Sequence, residues 1–393
     1  MDILKETERV YPKVVEMRRH LHAHPEVAQQ EKETSAFVCA RLDELGIRYH
    51  ANVAGYGVVA EIGEGDLAIG IRADMDALPV TEETGLPYCS QNPGVMHACG
   101  HDMHTACLLG TAEILKGVEG ELTKAGRMVK LFFQPAEETI GGAERMIKEG
   151  YLENPKVTHM LAYHVDPLYP TGTAVFCYGP MNAETQGFGI TVKGFSCHGA
   201  HPERGVDAIV MASAIVQALQ SISSRFNAPT TPVIVTIGAF HAGNAGNVVA
   251  GTAELTGTMR ALTPEVMQFN KAKLEQIISG VAAAYGGTAE VHWDSDGYPA
   301  LINDSEVTHM LEDLAGELLG KDKIAIMPEP SLGGDDFAFF TKETKGCYFD
   351  IGTQVPGGPF YMLHNEHFIP DEESMKAAIA MEVGGVLRLV GLY

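Results

Sequence analysis

Basic side chains are in short supply: 28 Lys and Arg face 51 Asp and Glu in the 393 residues, a formal charge of −23 at pH 7. A nucleic-acid binder needs a basic face to displace phosphate counterions, and an anionic bilayer repels an acidic chain, so neither partner is expected. Long apolar runs are missing too, none approaching the ~18 residues of a membrane span. The N-terminal MDILKETERVYPKVVEMRRH has neither the apolar stretch nor the small-residue cleavage site of a signal peptide. A cytoplasmic location is the resulting expectation. Cysteine amounts to seven residues, an odd number without regular spacing. That argues against a disulfide scaffold and leaves a notable Cys as a metal ligand or a packed thiol. Absent as well are G-x-S-x-G, the P-loop, G-x-G-x-x-G, H-E-x-x-H and P-C-x-x-C, which removes the usual nucleotide-binding, nucleophile-elbow and deaminase readings.

What is there is an ordinary globular composition, 45% apolar and 20% charged, long enough for two or three domains. Short apolar runs alternate with helical patterns through the first 180 or so residues, which predicts an α/β domain with a mixed, largely parallel sheet flanked by helices. Three runs, LAIGI (67–71), VKLFF (129–133) and MLAY (160–163), are followed at once by RADMD, QPAEE and HVDP. Functional groups gather past the carboxyl ends of strands in open α/β sheets, so these endings belong to one potential site. From about residue 182 long alternating strands and two helical segments form an α+β pattern of their own. The expected organisation is a domain of residues 1–181 and 299–393 interrupted by an inserted domain, 182–298.

The densest cluster of chemical side chains is MHACGHDMH (96–104). Cys99 and His101, two apart in a loop, project to one side and can reach one cation together. Asp102 and His104 open the helical sequence that follows; Asp102 either caps that helix or holds a ligating imidazole. In QPAEE, Glu137 and Glu138 alternate if the backbone is extended, so that one can bind metal while the other takes a proton from water; an acidic first turn of a helix is the alternative. His164 ends its strand and His364 lies in MLHNEH. Cys99, His101, Glu138, His164 and His364 make a mixed S/N/O set, too varied for a closed structural zinc site and suited to a catalytic centre with one or two metals. Asp74 and Asp76 can bind metal, orient an imidazole or cap a turn. His198, Asn247 and Arg260 can meet a substrate carboxylate and a developing oxyanion, or be ordinary strand-end polar residues.

These residues occur in a familiar order. RRHLHAHPE, IRADMDALP, MHACGHDMHTACLLG, FFQPAEE, the stretch from Gly194 to Pro202, GNAGNVV, GTMR, GGDDFAFF and LHNEHF together resemble the metal-dependent aminoacylase/carboxypeptidase family. The branch is that of hippurate hydrolases, auxin-conjugate amidohydrolases and N-acetyl-amino-acid deacetylases. The resemblance spans essentially the whole chain. It implies a catalytic domain with a metal centre of divalent ions, two per subunit, Zn²⁺ or Mn²⁺ with Ni²⁺ or Co²⁺ as options, and an inserted lid domain that mediates homodimerisation or a higher homo-oligomer. It implies Cys99, His101, Glu138, His164 and His364 as metal ligands, Glu137 as general base and His198 as the lid histidine that steadies the oxyanion. Asn247 and Arg260 then lie near the substrate carboxylate, with Asp74 behind the metals. Arg72 stands where other branches have a metal-ligating His, Ala250 where the lid motif often has Pro, and Asp335 where a longer acid is usual. The implied reaction is hydrolysis of an N-acyl-L-amino acid, with a dipeptidase or carboxypeptidase as the near rival and a non-catalytic binding protein as the distant one.

Overall fold

The computed structural model describes residues 1–139, 141–295 and 297–393. They fold as two compact units: Met1–Gly179 with Ile302–Glu329 and Asp335–Tyr393, and Pro180–Leu301 with Pro330–Gly334. The fold is mixed α/β, as the alternation of runs predicts.

In the first unit the described residues form an eight-stranded sheet in the order Arg48–Val53, Gly57–Gly63, Arg127–Gln134, Leu67–Asp74, Lys156–Pro170, Lys345–Gln354, Ala174–Phe176, Ile324–Ile326. Its centre is parallel: Leu67–Asp74 runs alongside both Arg127–Gln134 and Lys156–Pro170, and Lys345–Gln354 alongside the latter. Seven of the eight residues of Leu67–Asp74 are buried, the signature of a strand covered on both faces, and this explains why its sequence reads as an apolar run and not as an alternation. Helices Ile3–Ala23, His101–Lys116 and Ser374–Leu389 pack together and join the sheet residues in one core that includes Val14, Leu108, Leu131, Leu161 and Ile379. The MLAY strand is longer than its apolar run: it extends from Lys156 to Pro170, so His164 sits within a strand and not after one.

The second unit has a four-stranded antiparallel sheet among its described residues, in the order Val233–Ala242, Thr252–Ala261, Glu184–Lys193, Thr288–Trp293. Helices Ala208–Leu219 and Pro264–Ala284 pack on it around Phe188, Ile215, Leu255, Leu274 and Ile278. Both helices have the start signals their sequences advertise: Asp207 accepts from the Ile209 and Val210 N–H groups, and Thr263 caps a helix whose first residue is Pro264.

One buried acid in the first core makes a testable pH signature. Glu382, fully buried in Ser374–Leu389, accepts a hydrogen bond from Thr111 Oγ1 at 2.5 Å. Burial pushes its carboxyl from 4.5 up to about 8, against the opposing effect of Thr111. Between those two values the folded chain keeps a proton that the unfolded chain has lost, so this group lowers stability as pH rises, by on the order of 1 kcal/mol per pH unit. Glu382→Gln is expected to flatten that part of the decline, read from urea midpoints measured between pH 5 and 8.

Candidate metal centre

The central strand Leu67–Asp74 is flanked by Arg127–Gln134 and Lys156–Pro170, so the ends of the first two and the middle of the third bring Asp74, the PAEE turn and His164 to one place. Gly100 supplies the next piece. Its φ is +85°, and a Cβ there would lie 2.4 Å from Val165 Cγ2, so only glycine lets the Cys99 loop press against the His164 strand. Cys99 Sγ and His164 Nε2 are consequently 3.4 Å apart. His101 begins the helix His101–Lys116, and the donor atoms of Cys99, His101 and His164 lie within 4.8 Å of one another. His364 arrives from the C-terminal region with a φ of +66° and its N–H bonded to Ala98 O at 2.8 Å. Its Nε2 lies 3.3 Å from Glu138 Oε1, and Cys99, Glu138 and His364 form a second trio of the same size.

Hydrogen bonding orients the rings. His101 Nδ1 is 2.8 Å from Asp76 O, and His164 Nδ1 is 2.8 Å from Val165 O. A carbonyl only accepts, so each Nδ1 carries a proton and Nε2 is the nitrogen turned toward Cys99 and Glu138, the one a metal would take in place of a proton. That is the arrangement in which imidazoles bind metal. His101 Nε2 is buried without a hydrogen-bond partner among the described residues and has Asp74 Oδ2 at 3.6 Å and Glu138 Oε1 at 4.0 Å, a position among carboxylates that a cation would suit. His104 is turned the other way: the Val165 N–H donates to its Nε2 at 3.1 Å and its Nδ1–H donates to Asp74 Oδ1 at 2.6 Å. Both its nitrogens are used, so it buttresses Asp74 and offers no lone pair.

The electrostatics also favour a cation. Burial depresses the basicity of His101, but Asp74, Asp76 and Glu138 outweigh it and lift its pKa to about 10. Burial and then Glu138, Glu137 and Asp74 hold the Cys99 thiol well above its ordinary range, so a thiolate there needs a positive partner. The two glutamates diverge. Burial, Asp335, Asp336 and Glu138 push Glu137 well up, whereas His364 and His101 hold Glu138 down against its burial. A pair pushed apart in this way contains one group that holds a proton and one that stays charged. The PAEE segment differs from the expected extended strand: Glu137 and Glu138 lie in a turn after Arg127–Gln134, entered through Ala136 at a φ of +56°.

Several groups have partners that their sequence positions do not reveal. Asp76 receives the Glu137 and Glu138 N–H groups at 3.1 and 3.0 Å. Arg72, 1% exposed, donates to Asp74 at 2.7 Å, Asp336 at 2.9 Å and Gln134 at 2.9 Å, and lies 3.3 Å from Asp335. With no lone pair it is a fixed internal cation and not a ligand. Asp102 is placed away from both expected uses: its partners are Arg18 Nε and His22 Nδ1, each at 2.8 Å, and the helix begins on Gly100 without a side-chain cap. The HDMH spacing did hold a clue to His104, since i and i+3 share a helix face. In the second unit, His198 and Asn247 are exposed and adjoin where Cys197–His198 pairs with Val248–Val249. Arg260 is half-buried on Thr252–Ala261 and donates to Leu332 O at 3.2 Å.

Comparison with known proteins agrees with this chemistry. The family described as peptidase family M20/M25/M40 matches residues 70–386. The N-acetyl-L-cysteine deacetylase of Bacillus subtilis (strain 168) is 38% identical over 343 residues, 86% of this chain and 80% of that protein. Thermostable carboxypeptidase 1 of Saccharolobus solfataricus is 36% identical over 369 residues, 92% of each chain. Among solved structures, the Bacillus subtilis YXEP protein, described as a dinuclear metal-binding peptidase, superposes with a TM-score of 0.85 at 32% identity, covering 98% of this chain and 100% of that one.

Proposed function

The chain belongs to peptidase family M20/M25/M40 and is a metal-dependent hydrolase of amide bonds, and on that premise we propose that it cleaves N-acyl-L-amino acids to a carboxylate and a free amino acid. The observation that carries this reading is the buried donor set, in which the donor atoms of Cys99, His101 and His164 and of Cys99, Glu138 and His364 converge, with Glu137 beside His101 and Glu138. Cys99, His101, Glu138, His164 and His364 would hold the divalent cations, two per subunit, zinc or manganese, with nickel or cobalt also suited to such donors. Bound there, they supply acidification of a water and polarisation of the scissile carbonyl.

Glu137 takes the proton of the attacking water and returns it to the leaving nitrogen, a cycle that suits a carboxyl whose surroundings raise its proton affinity. Asp74 supports the centre from behind through His104, while Asp102 acts at one remove, through Arg18 and His22. His198 from the inserted unit donates to the oxygen that becomes negative, and Asn247 and Arg260 receive the substrate carboxylate. The inserted unit acts as the lid and joins subunits in a homodimer or higher homo-oligomer. Among the described residues no helix is long and apolar enough to cross a membrane; the reading places the enzyme in the cytoplasm, acting on a small molecule and not on nucleic acid or bilayer.

The carboxypeptidase relative supports a second reading, with the same chemistry applied to a peptide. Measuring kcat/KM for N-acetyl- and N-benzoyl-amino acids against dipeptides of the same residues separates the two. The acylated substrates are expected to lead by at least about tenfold, the scale of one or two pocket contacts; a lead of that size for dipeptides replaces the first reading with the second.

A further inference from the structure

The turn carrying Glu137 and Glu138 is held by its backbone, and the groups that hold it are acidic. Three consecutive N–H groups point at two carboxylates: Ala136 N–H donates to Glu31 Oε1 at 2.8 Å, Glu137 N–H to Asp76 Oδ1 at 3.1 Å and Glu138 N–H to Asp76 Oδ2 at 3.0 Å. The first of these contacts falls on the strained residue. Ala136 has a φ of +56°, a region that a side chain with a Cβ enters only at a cost, and strain of this kind persists where surrounding contacts over-determine it.

Glu31 is fully buried, and its segment is fastened on both sides. Glu26 accepts from the Glu33 and Thr34 N–H groups and from Thr34 Oγ1 at 3.1, 2.8 and 2.9 Å. Glu26 O accepts from Ala77 N–H at 2.8 Å, next to Asp76. A long acidic side chain has been buried there, without a cationic partner among its hydrogen bonds, where it accepts from backbone N–H groups that include that of Ala136.

We propose that Glu31 is a positioning residue of the hydrolytic site: it holds Ala136 in the left-handed conformation and thereby sets the directions of Glu137 and Glu138. This rests on the roles proposed for those two glutamates. Burial, followed by the nearness of Asp76, brings the Glu31 carboxyl up to about 7, so its place in the interior is electrostatically unfavourable and is retained against that cost.

The test compares Glu31→Ala, Ala136→Gly and the double variant. Glu31→Ala is expected to lower kcat roughly tenfold or more with KM little changed, the scale set by losing one strained conformation. It is also expected to weaken Mn²⁺ binding to chelator-stripped protein, measured by calorimetry. Ala136→Gly alone stays near wild type. Because glycine occupies positive φ without penalty, the double variant recovers most of both losses, which a general loss of packing would not allow. Unchanged kcat and Mn²⁺ affinity in Glu31→Ala, or losses that glycine leaves untouched, overturn the proposal. A crystal structure of Glu31→Ala is expected to show residue 136 out of the left-handed region; retention of its φ also overturns it. That readout and Mn²⁺ affinity do not depend on which group is the base, so they remain decisive if Glu137→Gln proves active and the base assignment falls.

Discussion

Glu137→Gln is expected to lower kcat by roughly 10²- to 10⁴-fold, the range a positioned acid/base contributes, while metal content stays at the wild-type level. Glutamine keeps the shape of the side chain but accepts no proton, so water activation and protonation of the leaving nitrogen fail together. Metal content is expected to be spared because the proposed ligands Cys99, His101, Glu138, His164 and His364 are all kept, Glu137 being the proposed base although its carboxylate lies with His101 and Glu138. The stability of the variant should equal or exceed that of the wild type, because a neutral amide escapes the burial, and then the repulsion from Asp335, Asp336 and Glu138, that raise the Glu137 carboxyl. Steady-state kinetics, elemental analysis and thermal unfolding on one preparation read all three. Wild-type kcat, or loss of metal along with activity, contradicts the division of labour between the two glutamates.

Arg72→Met acts on stability instead. The guanidinium is the common partner of Asp74, Asp335 and Asp336 in a region almost without solvent. Removing one partner of a buried ion pair typically destabilises by about 3–5 kcal/mol, because the charges left behind are uncompensated. The gain in stability as pH is lowered from 7 to 5, which buried acids such as Glu382 already give the wild type, should also steepen. In the wild type, Arg72 with His101 and His104 holds Asp74 well below its ordinary value despite burial. Stability from that group is therefore present above the unfolded value near 3.8 and is lost only as pH falls toward the lower folded value. Without Arg72 the buried carboxylates favour their protonated forms, so the variant should regain stability as pH is lowered from 7 to 5. Urea denaturation at several pH values measures this; a variant within about 1 kcal/mol of wild type at pH 7 would show that the network is not holding charge as described.

The sequence was most informative where chemistry and local pattern coincide. A Cys and a His two residues apart pointed to donor atoms that the fold does bring within 4.8 Å of each other, and three apolar runs marked three neighbouring strands, because burial on both faces demands such runs. It was least informative about support. Arg72 drew notice only for standing where other branches have a metal-ligating His, yet the fold encloses it among three acids drawn from Leu67–Asp74 and the segment before Ala338–Glu343. No local pattern encodes a pairing 264 residues apart. Asp102 invited a local reading as a cap or brace and instead reaches back 80 residues to His22. The Glu137–Glu138 turn depends on a positive φ at an alanine, which propensity argues against and tertiary hydrogen bonds enforce.

The most direct measurement is turnover of an N-acyl-L-amino acid by chelator-stripped protein, with bound metal counted on the same sample. The account predicts no detectable turnover after stripping and recovery in step with added Zn²⁺ or Mn²⁺, saturating near two ions per subunit in wild type and at fewer in Cys99→Ala or His101→Ala. Turnover that survives in metal-free protein, or metal uptake unaffected by either substitution, would contradict it.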